Sequence, residues 1–313
     1  MKRKQLRVYF TDFWDGFNTS ENFFTELLSA DYEIIIDPVD PEILFFSLGS
    51  FNFLQYKKAV RVFFTGESYL PDFTVCDFSL SFDYDSYDGR NLRLPLYTLF
   101  GKAKASMLLK PKIPGDIILE KILFCNMVVS QSKCRYRIEF YNTLNKMRKV
   151  DSGGKVLNTV GGPVKDKMAF IKNYKFTIAM ENRSHPGYTT EKIFEPMMAN
   201  SIPIYWGNPK IAEEFNPKSF INISDFGSLK EAAAYVVSVD DDMAAYKKIL
   251  AEPWFNNNEI NKYFGSSRLL HFFETKVLKA YPFSPEQIKE RDKIASLSVF
   301  KKKWRLFITR KSF

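Results

Sequence analysis

The sequence contains few of the residues that build disulfide bonds or metal sites. Its 313 residues include three cysteines, Cys76, Cys125 and Cys134, and only two histidines. Three widely spaced cysteines with so few histidines cannot form a Cys/His zinc pattern. An odd number of cysteines without a disulfide framework fits a reducing compartment, so we expect a cytoplasmic protein.

Long apolar runs are also missing. The basic opening stretch, MKRKQLRVYFTDFWDG, has no run of about 7–15 apolar residues before Asp12, so we predict neither a signal peptide nor a membrane anchor there. No apolar run reaches the roughly 18 residues of a membrane-spanning helix. Apolar residues still make up 45% of the chain, which is ample for a packed core. The 16% aromatic content fits either sugar-stacking surfaces or a Phe-rich core.

The positive charge is concentrated at one end of the sequence. The segment VFKKKWRLFITRKSF (299–313) contains six Lys or Arg and no acid, and without these six the net charge falls from +9 to +3. That remainder is too small to indicate nucleic-acid binding. Phe300, Trp304, Phe307 and Ile308 recur at helical spacing between the cations, as in helices that bind an anionic membrane surface. The alternative is a helix that packs back on the N-terminal domain.

Short apolar runs alternate with helix-compatible stretches in the first 150 residues. The predicted strands are 6–10, 33–37, 43–49, 60–66, 78–82 and 122–130. Continuous apolar strands separated by longer segments indicate a parallel sheet covered by helices. A helix is predicted from Lys133 to about Lys149, with Ser132 as its N-cap.

A glycine-rich segment, VDSGGKVLNTVGGPVKDK (150–167), predicts a domain boundary. A second alternation follows it, with strands at 175–180, 202–206 and 220–223, and helices at 164–173, 190–200, 209–215, 228–238, 242–251 and about 259–280. We therefore predict an α/β fold with two Rossmann-like domains whose parallel sheets face each other across a cleft. The predicted domains are 1–150 and 151–283, followed by a basic amphipathic tail, 284–313.

The segment ENRSHPGYTTEKIF (181–194) contains an unusual first helical turn. Two threonines precede an apolar helical run, as an N-cap does, but Lys192 lies where the helix dipole disfavours a cation. Ligands bind near such helix N-termini in parallel α/β sheets, and a bound phosphate would give Lys192 a charge-assisted hydrogen bond. The alternative is that Lys192 extends into solvent. Pro196, five residues after Glu191, indicates that the helix is bent there or begins later.

Residues 174–226, which include FTIAMEN, GYTTEKIF and IPIYWG, resemble the signature block of the α-1,3/4-fucosyltransferases, particularly their bacterial members. The resemblance extends through RVFFTGES (61–68), FDYDSYDGRNLRLPLY (82–97) and RIEFYNTLN (137–145), and covers most of residues 6–280. It implies a GT-B fold with an acceptor-binding N-terminal domain and a donor-binding C-terminal domain. The implied reaction moves L-fucose from GDP-fucose to a hydroxyl of N-acetylglucosamine, usually within lactosamine, with inversion.

The resemblance also implies roles for single residues. Glu67, which follows a strand and the FTG turn, matches the catalytic carboxylate and would take the proton of the acceptor hydroxyl; without the motif it would be a surface glutamate. Arg137 matches a phosphate-binding arginine, although it could equally belong to a solvated basic helix face. With Lys192 it would contact the donor phosphates.

Three further positions match donor-contacting residues of the family. We expect Glu191 to accept hydrogen bonds from sugar hydroxyls, and Asn182 and Tyr188 to fix the donor. Two cations at the leaving phosphates and a helix N-terminus could replace a divalent metal, so we expect no metal or cofactor. The acidic strings DYD (83–85) and DDD (240–242) are too short to indicate Mn²⁺ specifically.

The wider setting follows from the same resemblance. We expect a bacterial cytoplasmic enzyme, peripheral on the inner membrane face if the tail binds lipid, that makes Lewis x-like surface glycans or lipopolysaccharide. Another nucleotide sugar as donor, or a non-catalytic nucleotide-sugar or glycan-binding protein, are the alternatives. The aromatic residues of TDFWDGF (11–17) suit either stacking on an acceptor sugar or a place in the core.

Overall fold

The structure is a computed structural model that describes residues 3–109 and 121–310, with side chains up to residue 300. Its two all-parallel sheets and surrounding helices form the predicted α/β fold. The chain divides into two compact units. Unit 1 comprises Met1–Leu94 and Gly265–Phe313, and unit 2 comprises Pro95–Phe264.

Unit 1 contains a six-stranded parallel sheet with strand order β2-β1-β3-β4-β5-β6. Its strands are β1 Lys4–Thr11, β2 Tyr32–Ile36, β3 Ile43–Phe46, β4 Val60–Phe64, β5 Phe78–Ser81 and β6 Asn91–Arg93. The first five confirm the predicted strands. The prediction succeeds here because continuous apolar runs are typical of buried parallel strands. Strand β6 was not predicted, since its three residues include two polar ones. The Asn91 side-chain oxygen accepts hydrogen bonds from Ser79 and Ser81 of β5.

Unit 2 contains a five-stranded parallel sheet with strand order β11-β10-β9-β7-β8. Its strands are β7 Leu123–Met127, β8 Val150–Ser152, β9 Tyr174–Met180, β10 Ile202–Trp206 and β11 Ile221–Asn222. The predicted domain boundary at residues 150–167 falls inside this unit. Cys125 of β7 pairs with both Val150 of β8 and Phe176 of β9, which joins the chain on both sides of the glycine-rich segment into one sheet.

The helices of the described ranges are α1 Phe23–Leu28, α2 Gly101–Ser106, α3 Arg135–Met147, α4 Lys167–Ile171, α5 Glu191–Met198, α6 Leu229–Asp241, α7 Met243–Ala251, α8 Ser266–Phe272 and α9 Pro285–Arg310. The N-cap position of α3 is Cys134, whose backbone is extended and whose side chain makes no capping hydrogen bond, so the predicted N-cap Ser132 lies outside the helix. The helix predicted at 209–215 is only a 3-10 turn, Ile211–Glu213. Among the described residues, no helix combines the length and the apolarity that crossing a membrane requires.

The chain returns to unit 1 through α8 and α9, so a boundary at residue 283 does not separate a tail from a second domain. Ala295 and Val299 of α9 are buried in the same apolar cluster as Leu44, Phe46 and Phe63 of the sheet. This part of the helix packs on unit 1, as the alternative interpretation of the tail predicted.

Two ion pairs also join α9 to the segments of unit 1 that precede β4 and β5. Arg291 pairs with Asp77 and Asp292 pairs with Lys57. The basic and aromatic pattern predicted for membrane binding falls almost wholly on side chains 301–310 and on residues 311–313, which lie outside the description. Its first member, Phe300, is exposed.

We predict that Val299→Asp destabilises the protein by about 3 kcal/mol or more, because it buries an unpaired charge under α9. Urea unfolding measures the change. Leu297→Asp is the matched control, since Leu297 lies on the same helix with 52% of its surface exposed; we expect it to change stability by less than about 0.5 kcal/mol. Equal losses in the two variants would contradict the packing of α9.

Candidate active site

The loop between β9 and α5 lies at the carboxyl end of a central strand of unit 2, the position where α/β sheets bind ligands. Helix α5 begins at Glu191 with Thr190 as its N-cap, and the Thr190 side-chain oxygen accepts from the Lys192 backbone N–H at 3.4 Å. Pro196 lies inside the helix. The helix therefore does not begin later, and it accommodates a residue that cannot donate a backbone hydrogen bond.

Glu181, the first residue after β9, is fully buried. Its carboxylate accepts hydrogen bonds from the backbone N–H of Thr190 at 2.7 Å and from the Thr190 hydroxyl at 2.8 and 2.9 Å. Burial raises the pKa of Glu181, and the nearby Lys192 ammonium opposes that shift. The carboxylate thus joins the start of the loop to the start of α5.

Lys192 does not extend into solvent, and that alternative is wrong. Its side chain is only 16% exposed, and Nζ lies 3.3 Å from Glu181 Oε2 and 3.3 Å from Glu191 Oε1. The same Nζ donates to the Thr190 hydroxyl oxygen at 3.1 Å. Burial alone would lower the pKa of Lys192, but the two carboxylates raise it above the usual range for lysine. The two acidic partners offset the unfavourable helix dipole in the first turn.

Glu191 is the more accessible of the two carboxylates, with 28% of its side chain exposed. Burial tends to raise the pKa of Glu191, but Lys192 and Lys167 together lower it below its ordinary value. Glu191 is therefore an ionised acceptor, which is the form needed to bind sugar hydroxyls.

Arg137 is fully buried on the first turn of α3. Its Nη1 donates to the Met180 carbonyl at 2.8 Å and to Asn182 Oδ1 at 3.2 Å, and its Nη2 donates to the Gln131 carbonyl at 2.8 Å. Burial lowers the pKa of Arg137, and Glu181 is among the groups that oppose this shift. Arg137 thus fixes Asn182 at the end of β9.

The structure brings five of the six predicted site residues into unit 2. They are Arg137, Asn182, Tyr188, Glu191 and Lys192. The predicted assignment of Arg137 to an N-terminal domain is wrong, because α3 follows β7 and both belong to unit 2. Tyr188 is buried. Its hydroxyl group acts to raise the pKa of Arg137, whereas burial lowers it. It also acts to raise the pKa of Lys192, as the two carboxylates do.

A second buried carboxylate, Glu214, holds the other half of the loop. Its Oε1 accepts from Asn208 Nδ2 at 2.9 Å, and its Oε2 accepts from the Tyr97 hydroxyl at 2.8 Å. Asn208 also donates to the Thr189 hydroxyl at 3.0 Å and accepts from the Gly187 backbone N–H at 2.8 Å. The two adjacent threonines of the loop are therefore bound to two separate polar networks.

Sequence reasoning missed the two buried carboxylates and Asn208. Glu181 directly follows an apolar strand and Asn208 follows the YWG exit of the next one, which is the signal that could have indicated them. Their partners could not be deduced, since each network joins residues far apart in the sequence.

Glu67, the sixth predicted residue, lies in unit 1. It follows β4, is exposed, and its backbone N–H donates to the Thr65 hydroxyl at 3.1 Å. The aromatic loop after β1 is only partly buried, and a role for it in stacking on an acceptor sugar stays a prediction. Phe13 and Phe17 are half-buried with ring centroids 4.1 Å apart, whereas Trp14 is 53% exposed.

The two acidic strings have structural contacts. Asp83 and Asp85 accept hydrogen bonds in the turn that leads to Tyr87, and Asp240 pairs with Lys175 at 2.7 Å. Asp242 caps α7. In the part of the chain that the structure describes, no group of three or more His, Cys, Asp or Glu side chains is arranged to hold a metal.

We predict that Gly207→Ala destabilises unit 2 by about 1–3 kcal/mol. A methyl group at Gly207 would lie 2.4 Å from Cγ of Glu181, whose side chain is buried and hydrogen-bonded. Urea unfolding is the measurement. In the control Gly227→Ala the new methyl approaches only the carboxylate end of the flexible Glu231 side chain, at 3.1 Å, so we expect little change. A Gly207→Ala protein as stable as the control would contradict the close approach.

Two family models match the chain. Residues 8–100 match the alpha-(1,3)-fucosyltransferase FucT N-terminal domain, and residues 119–274 match the glycosyltransferase family 10 (fucosyltransferase) C-terminal domain. Together they cover most of the chain.

Individual relatives are similar over long stretches. The chain is 33% identical to alpha-(1,3)-fucosyltransferase FucT of Helicobacter pylori over an alignment 314 residues long. This alignment covers 86% of this chain and 65% of that protein. It is 28% identical to an alpha-(1,3)-fucosyltransferase B of Drosophila melanogaster over 221 residues, 64% of this chain and 48% of the relative. The chain thus spans slightly less than two thirds of the Helicobacter protein.

Solved structures agree with these relatives. A crystal structure of an α1,3-fucosyltransferase with GDP-fucose is 28% identical and matches with a TM-score of 0.76, covering 90% of this chain and 93% of that one. The structure with GDP is 29% identical with a TM-score of 0.75, covering 88% and 91%. The fold is accordingly of the GT-B type. The family models, the Helicobacter relative and these structures all lead to one assignment: the chain belongs to the fucosyltransferase family, glycosyltransferase family 10.

Proposed function

We propose that the protein is an inverting α-1,3-fucosyltransferase that moves L-fucose from GDP-fucose to the N-acetylglucosamine hydroxyl of lactosamine-type glycans. The observation that carries the proposal is the match, over nearly the whole chain, to a structure of an α1,3-fucosyltransferase with GDP-fucose. The Lys192 ammonium at the N-terminus of α5 supports it further, because an ammonium beside free backbone N–H groups suits the diphosphate of such a donor.

On the donor side, we assign Lys192 to the phosphates and Glu191 to the fucose hydroxyls. A buried ammonium beside a helix N-terminus is strongly attractive to a phosphate oxygen, since little water competes for it. Asn182 and Tyr188 flank this position in the loop. A phosphate contact by Arg137 stays a prediction, and its hydrogen bond to Asn182 supports a role in holding that residue.

On the acceptor side, we assign Glu67 as the general base. The acceptor oxygen would attack the anomeric carbon of fucose while the bond from that carbon to the phosphate oxygen breaks. The acceptor proton would pass to the Glu67 carboxylate, and the bonding electron pair would leave with GDP. The exposed carboxylate at the carboxyl end of β4 is accessible to a hydroxyl group, which supports this role.

The charge that develops on GDP would be stabilised by fixed cations, so we propose that no divalent metal is needed. The structural contacts of the acidic strings support this proposal.

We further propose a bacterial cytoplasmic site of action with Lewis x-like glycans or lipopolysaccharide as product, and contact with an anionic membrane through the basic end of α9. The three free, buried cysteines are consistent with a reducing compartment.

We expect the protein to fucosylate N-acetyllactosamine with GDP-fucose, and to give no product with UDP- or CMP-sugars. Mass spectrometry of the product tests this. A parallel reaction with EDTA should proceed at the same rate, because Lys192 and the helix N-terminus would replace a metal. Failure to form product from GDP-fucose would reject the proposed function, and restoration of an EDTA-inhibited reaction by Mn²⁺ would reject metal independence.

We expect Glu67→Gln to lower kcat by about 10²–10⁴-fold while the affinity for GDP-fucose stays within about twofold, because the amide cannot accept the acceptor proton. Transfer kinetics and calorimetric binding give the two quantities. Glu21→Gln, an exposed glutamate of the same unit, should leave both unchanged. A parallel loss of donor affinity in Glu67→Gln would assign this residue to donor binding instead.

A further inference from the structure

The Glu181 side chain has almost no freedom to move. It is fully buried, Thr190 donates two kinds of hydrogen bond to its carboxylate, and its backbone N–H donates to the Trp206 carbonyl at 2.8 Å. The backbone of Gly207 lies so close that a methyl group there would come within 2.4 Å of Glu181 Cγ. Glu181 is therefore fixed by Thr190 at its carboxylate, by Trp206 at its backbone and by Gly207 at its Cγ atom.

The three polar partners of the Lys192 ammonium differ in their exposure to solvent. An ammonium has three protons, and Glu181, Glu191 and the Thr190 hydroxyl surround it at 3.1–3.3 Å. Glu181 and Thr190 are buried and hydrogen-bonded to each other, whereas 28% of the Glu191 side chain is exposed. A ligand that approaches from solvent can replace only the accessible partner without dismantling the loop.

We infer that Glu181 is a positioning residue that holds the Lys192 ammonium for a phosphate, and that the phosphate replaces Glu191 as its third partner. This inference rests on the proposed function, which supplies the phosphate. Glu191, once released, is free to accept from the sugar hydroxyls of the same donor. The ligand-free site therefore keeps its two donor-binding groups paired with each other, and one nucleotide sugar satisfies both.

A purely structural role for Glu181 predicts different behaviour. If the carboxylate only capped the loop, its removal would lower stability and weaken every ligand to the same degree. A positioning role affects the charge of Lys192 and the phosphate-dependent part of binding. The test therefore needs a readout of Lys192 itself and a ligand pair that differs only in the diphosphate.

The first measurement is the pH profile of Lys192 acylation in the ligand-free protein, followed by peptide mass spectrometry. Glu181→Gln keeps the size of the side chain and removes its charge. We expect the midpoint of the profile to fall by about one pH unit or more, because the ammonium loses its buried counter-charge. A loosened loop that exposes Lys192 to water would also lower the midpoint, so a control must weaken the same loop without removing this charge. An unchanged midpoint would overturn the positioning role.

Glu214→Gln is the matched control, since Glu214 is an equally buried carboxylate that binds the same loop through Asn208. We expect the midpoint for Lys192 to be unchanged in this variant. A shift as large as that of Glu181→Gln would mean that loop stability, and not the charge of Glu181, sets the state of Lys192.

The second measurement is calorimetric binding of GDP and of guanosine. We expect Glu181→Gln to weaken GDP about tenfold and to leave guanosine unchanged, because guanosine has no phosphate to reach Lys192. Glu191→Gln should bind GDP as tightly as the wild type or more tightly, since a competitor for Lys192 is gone. Equal weakening of GDP and guanosine by Glu181→Gln would reject the positioning role, and weaker GDP binding by Glu191→Gln would reject the exchange of partners.

The proposed function and the positioning role of Glu181 can be refuted separately. A wild-type protein that does not bind GDP would overturn the proposed function and, with it, the exchange of partners. The acylation profile requires no nucleotide, so an unchanged midpoint in Glu181→Gln would overturn the positioning role even in a protein that transfers fucose.

Discussion

The ion pair between buried Glu181 and Lys192 constrains the polar residues around it. A buried carboxylate is costly unless its oxygens are hydrogen-bonded and its charge is compensated. Thr190 supplies the hydrogen bonds, Lys192 supplies the charge, and a glycine at position 207 leaves the space. The lysine in the first turn of α5, unfavourable by the helix dipole alone, follows from this requirement.

Much of the fold could be predicted, because it depends on local patterns. Apolar runs such as 60–66 and 202–206 are strands in the structure, and the helix after the signature loop begins beside the predicted threonines. The sequence also predicts the loop after β9 as the site, but it does not indicate the partners of Lys192. A single sequence shows that residue 181 is acidic, yet it does not show that the side chain is buried or that Gly207 lies against it.

The unit boundary shows the limits of composition as a signal. Four glycines at 153–162 suggested a linker, but Gly154 instead permits close packing: a methyl group there would lie 2.1 Å from the Val129 carbonyl oxygen. Glycines that allow two backbone segments to approach look the same in a sequence as glycines of a flexible connection. The pairing of β7 with β8 and β9, which no local pattern indicates, decides the assignment.

The discontinuity of unit 1 has a consequence for biosynthesis. Unit 2 is one continuous segment, Pro95–Phe264, whereas the apolar cluster of unit 1 is completed by Ala295 and Val299 of α9. On the ribosome, strands β1–β6 emerge before α9 and lack this cover until α9 has been translated. The middle of the chain can therefore complete its core before the beginning does, and the apolar surface of the early strands stays uncovered during that interval, the condition under which nascent chains aggregate.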